Sequence, residues 1–81
     1  MTLLIILADM ALAKLGAGLG AGIAALAAGL GVGKIGASAM EAIARQPESM
    51  ADIRANMILA SVLIEGVAFL AIILCVLLAV L

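Results

Sequence analysis

Two long apolar stretches, separated by a short polar cluster, dominate the pattern along this chain. Residues 15–33, LGAGLGAGIAALAAGLGVG, carry no charge, and their 19 positions match the roughly 20 residues a helix needs to cross a hydrocarbon core. The first span falls there. Residues 55–81 form a second apolar run, broken by a single charge at Glu65; at about 1.5 Å per residue it is long enough to cross with some tilt. Between the two lies EAIARQPESMADIR, with Glu41, Arg45, Gln46, Pro47, Glu48, Asp52 and Arg54. Pro47 disfavours helical geometry at Gln46 and suits the first turn of a new helix, where Glu48 meets the positive helix end. The chain is thus expected to divide into a first helical segment at 1–44, a polar loop at 45–48 and a second helical segment at 49–81.

A chain of 81 residues that is 69% hydrophobic has too little polar surface for a soluble domain, so lipid is the expected solvent. Helices satisfy their own backbone groups in lipid, whereas a closed barrel needs about eight strands of some ten residues each. The expected fold class is therefore all-α, a transmembrane helical hairpin. Lys34, Arg45 and Arg54 lie toward the loop and only Lys14 toward the other end, so the loop is expected in the cytoplasm. The start, MTLLIILADM, has no basic leader region and meets Asp9 early, which argues against a cleaved signal peptide. A net charge of −1 with no aromatic platform gives no footing for nucleic acid. Without His, a His-based metal site or catalytic triad is excluded, and Cys75, inside IILCVLLAV, reads as a small inert hydrophobe.

The two spans differ in kind. The first holds Gly16, Gly18, Gly20, Gly22, Gly29, Gly31 and Gly33, followed by Gly36, while the second holds only Gly66. Small residues recur every four positions as Gly16, Gly20, Ala24, Ala28 and again as Ala25, Gly29, Gly33, Ala37. Two smooth faces allow close backbone approach on two sides. With the thin helix inside and the bulkier second helix outside, identical hairpins are expected to close into a cyclic homo-oligomeric ring.

Glu65 is the residue on which function is expected to turn. Ten uncharged positions separate it from Arg54 and sixteen follow it to Leu81, so an ionised carboxylate there costs several kcal/mol in lipid. The neutral acid is the favoured form in lipid, and release of the proton requires water or a cationic partner. An acid that moves between those two settings is a carrier. Folding the hairpin between Gln46 and Pro47 brings Ala28 to the depth of Glu65, with Val32 one turn nearer the loop. Ser61 lies four residues before Glu65 on the same face; its hydroxyl either supports the carboxyl or bonds its own helix backbone. Lys34 is expected to lay its stem along apolar surface and reach the headgroups, with anionic lipid as a secondary contact.

The Gly-rich first helix, the loop ARQPE at residues 44–48 and an acid twenty positions after Arg45 closely resemble the c-subunit of F-type ATP synthases, over nearly the whole chain. The resemblance implies a rotor ring in the membrane sector, turned by ions passing between two half-channels of a neighbouring a-subunit. It also implies that Glu65 is the reversibly protonated site, that an arginine of the a-subunit strips it, and that Arg45, Gln46 and Pro47 touch the central stalk. A bacterial inner membrane is the expected setting. Such a subunit is not itself an enzyme, and no phosphate-binding Gly-rich loop is present. Sodium-binding members of the family carry Gln in place of Val32, Ser in place of Gly66 and Tyr in place of Leu70. Here Val32, Gly66 and Leu70 offer no side-chain oxygen, and a bare cation needs several. The expected ion is H+, carried by Glu65 with Ala28, Val32, Ser61 and Gly66 around it; a sodium-carrying ring or a small ion-conducting hairpin are the alternatives. A water-filled pore would show a polar stripe, yet residues 57–81 contain only Ser61 and Glu65 as hydrophilic side chains.

Overall fold

The structure, a computed structural model, describes all residues from Met1 to Leu81. Helix α1 runs from Thr2 to Arg45, a single 3-10 turn covers Pro47–Ser49, and α2 runs from Met50 to Val80. The two helices pack side by side in a hairpin 69 × 16 × 8 Å in extent. The long dimension is set by α1, whose 44 residues reach about 66 Å at 1.5 Å per residue. Asp9, Lys14, Lys34 and Glu41 do not interrupt it, because a charged side chain costs a helix at most about 0.7 kcal/mol relative to Ala.

Reversal is confined to a few residues. Gln46, with φ −134 and ψ 74, is the single residue outside helical structure between the two arms. The clash of the Pro47 ring with the preceding residue drives that conformation. The Gln46 amide still donates to the Ala42 carbonyl at 2.9 Å, and the Ser49 amide donates to the Gln46 carbonyl at 3.0 Å. Arg45 closes α1 at its negative end and Asp52 opens α2 at its positive end, the favourable sense for both dipoles.

The seam between the helices is built from small residues. The buried positions are Ala17, Ala28 and Ala39 in α1 and Ala68 in α2, and the three in α1 are eleven residues apart. Half-buried neighbours repeat with the same step, as Gly20, Gly31 and Ala42 in α1 and as Met57 and Ala79 on either side of Ala68 in α2. Eleven residues over three turns is 3.67 per turn, close to the 3.6 of a straight α-helix, so the seam stays on one face of each helix along its length. Two contacts fix the register: a Cβ on Gly31 would lie 3.2 Å from Ile64 Cδ1, and one on Gly20 would lie 3.0 Å from Cys75 Sγ. Little else is covered. Leu19, Leu26 and Leu30 on α1 and Leu63, Val67, Phe69 and Leu70 on α2 are all more than half exposed, an apolar surface that only lipid or further chains can cover.

Candidate functional site

Glu65 sits on α2, three residues before the buried Ala68 and therefore about 60° round the helix from the seam. It is exposed at the side of the hairpin. The hairpin contains two side-chain hydrogen bonds, from Arg54 Nη2 to Met50 Sδ at 4.0 Å and from Asn56 Nδ2 to the Asp52 carbonyl at 3.0 Å. Both lie near the loop, so the Glu65 carboxyl has no partner within its own chain. Ser61, one turn before it, is half-buried at the edge of the seam and makes no hydrogen bond to it.

The other residues expected around the acid fall into two groups. Ala28 is buried in the seam and Val32 is half-buried there, so both face α2 and not the flank that carries the carboxyl. Gly66 is exposed, with no heavy atom near its hydrogen face. Ala28 does not stand at the depth of Glu65, as folding between Gln46 and Pro47 would have it. Because Gly31 meets Ile64 and Gly20 meets Cys75, the residue level with Glu65 is Leu30, and Ala28 stands two positions further from the loop. The cause is the 3-10 turn at Pro47–Ser49, which moves the fold axis past the Gln46–Pro47 bond.

The glycines separate by role. Gly20 and Gly31 lie in the seam against Cys75 and Ile64, whereas a Cβ at Gly16, Gly18, Gly22, Gly29 or Gly33 would meet nothing within 4 Å. Of the two four-residue series, the one through Gly20, Ala24 and Ala28 is half-buried or buried and serves the hairpin's own seam, while Ala25, Gly29, Gly33 and Ala37 stay exposed. Arg45, Gln46 and Pro47 are exposed at the loop tip, and Lys34 is exposed on α1 with no acid in ion-pair range. No group of three or more metal-ligating side chains comes together.

One feature escaped the sequence. A groove of about 470 Å³ runs along one side of the hairpin, lined by Ala24, Ala27, Ala28, Leu63, Ile64, Val67, Ala68 and Ala71. The signal is the pairing of alanines on α1 with alanines on α2 at equal depth, which is readable only once the register is known.

Two long apolar helices that cover little of each other, with one acid among the hydrocarbon side chains of the second, define a hairpin that only lipid or further chains can complete. Comparison with known proteins specifies the family. Residues 15–78 match the family model of the ATP synthase C-subunit. The chain is 62% identical over 70 residues to the ATP synthase c-subunit of Bacteroides thetaiotaomicron, covering 86% of this chain and 82% of the relative. It is 64% identical over 66 residues to the c-subunit of Phocaeicola vulgatus, covering 82% and 79%, and 51% identical over 51 residues to that of Thermotoga maritima, covering 63% and 60%. No solved structure matches it significantly. The chain belongs to the ATP synthase C-subunit family, whose members are non-catalytic membrane proteins.

Proposed function

We propose that this hairpin is one copy in the rotor ring of an F-type ATP synthase, and that Glu65 carries protons between two half-channels supplied by a neighbouring a-subunit. The observation that carries the reading is the carboxyl itself: exposed on a flank, without a hydrogen-bond or ion-pair partner in its own chain. Such a group is neutral where it meets lipid, since the ionised form is costly there. Where a cationic side chain and water meet it, the proton leaves. Alternation between the two settings under a membrane potential turns the ring, and each charge crossing the field gains about 2.3 kcal/mol per 100 mV.

The proton is the cargo because the surroundings are poor in oxygen. Val32 and Leu70 are hydrocarbon, Gly66 has no side chain, and Ser61 is the one hydroxyl within a turn. A hard cation stripped of water requires several oxygen ligands, while a proton requires the carboxyl alone or with one acceptor. The cations Lys34, Arg45 and Arg54 at the loop end favour a cytoplasmic loop, where the exposed Arg45, Gln46 and Pro47 meet the central stalk.

The test is Glu65→Gln. The amide keeps shape and polarity but releases no proton, so rings form normally while proton-driven ATP synthesis in reconstituted vesicles falls to background. Coupled synthesis above a few percent of wild type would remove Glu65 from the carrier role.

A further inference from the structure

The groove beside the seam and the chain's one aromatic residue stand at the same depth on opposite sides of the hairpin. Val67 and Phe69 flank the buried Ala68 and so point about 100° to either side of the seam. Val67 lines the groove. Phe69 therefore occupies the other side, one turn from Glu65, and it is 66% exposed. The groove extends along α2 from Leu63 to Ala71, a range that contains position 69. Its volume of about 470 Å³ exceeds what one phenyl ring fills. On α1 the same division holds: Ala27 lines the groove, and Gly29, about 100° past the seam the other way, is open.

Resting on the ring reading given above, we infer that Phe69 of each hairpin seats in the groove of the next, between Ala24, Ala27, Leu63, Val67 and Ala71. Rotation about an axis parallel to the helices preserves depth, so a knob and a hole at one height on opposite flanks form the heterologous contact from which a closed ring is generated. An aromatic ring filling a hole between helices supplies the dispersion contact that drives association in lipid, where no hydrophobic effect separates helix from tail. Seating Phe69 also carries Glu65 to the boundary between copies. Phe69 is thus a positioning residue, and the site around Glu65 is incomplete without the adjacent hairpin.

A swap of bulk across the contact tests this, with the full-length chain extracted in mild detergent and read by native mass spectrometry and by the temperature at which rings dissociate. Circular dichroism reports whether each variant remains helical. Phe69→Ala is expected to lower the ring population at least about tenfold under conditions where wild type is intact, and Ala27→Phe to block closure at the wild-type ring mass. The double variant refills the hole from the opposite side and is expected to recover rings of wild-type mass. Ala27→Phe rings of normal mass and stability, or a double variant no better than Ala27→Phe alone, overturn the seating of Phe69 while leaving the ring reading intact. Absence of any ring from the wild-type chain removes both.

Discussion

Replacing Gly29 by valine separates the packing within a hairpin from the packing between hairpins. A Cβ at Gly29 meets no heavy atom within 4 Å, so the branched side chain costs the isolated hairpin nothing in packing and gains a few tenths of a kcal/mol in helix propensity. In the proposed ring the same face is assigned to an adjacent copy. Inserted bulk at a close contact costs about 1–3 kcal/mol, which at 1.4 kcal/mol per decade weakens each contact about five- to a hundredfold. Cyclic symmetry repeats the cost at every interface, so the effect on closure exceeds that on any single pair. Native mass spectrometry of extracted rings is expected to show either loss of the ring or a different subunit number, with helical content by circular dichroism unchanged. Gly20→Val is the converse: its Cβ falls 3.0 Å from Cys75 Sγ of the same chain, so the damage appears first as lower stability of the hairpin. Rings of wild-type mass and dissociation temperature from Gly29→Val would refute the assignment of that face to a neighbour.

The other predictions are chemical. Carbodiimide, which reacts with protonated carboxyls, is expected to label Glu65, and millimolar sodium at fixed pH is expected not to slow it; protection by sodium but not potassium would mean that backbone carbonyls and water complete a cation site. Cys75, half-buried against Gly20, is expected to resist a membrane-impermeant maleimide in native membranes and to react after denaturation in SDS; rapid labelling of native rings would place water along the seam.

The two spans and the reversal were legible because they rest on strong local signals: the length of uncharged sequence, and the steric effect of Pro47 on Gln46. Glu65 was legible because a lone acid among hydrocarbon side chains contrasts with everything around it. The sidedness of the helices was not. With apolar residues all round, nothing in the pattern distinguishes a seam from a lipid face. Small-residue spacing suggested two equivalent faces, yet the eleven-residue recurrence of Ala17, Ala28 and Ala39 commits one of them to the hairpin's own partner. Phe69 carries no signal in the sequence for the same reason, because its proposed place depends on the height of a groove made by both helices.

The continuity of the two helices bears on elasticity. Neither arm contains a residue with positive φ or a cis peptide bond, and Gln46 alone breaks the helical conformation between them. Some fifteen residues of α2, about 23 Å at 1.5 Å per residue, connect Glu65 to the loop, with α1 clamped alongside throughout. In the proposed rotor, a push at the carboxylate would travel to the loop through unbroken helix. In the proposed rotor each hairpin would act as a tooth whose two arms move together.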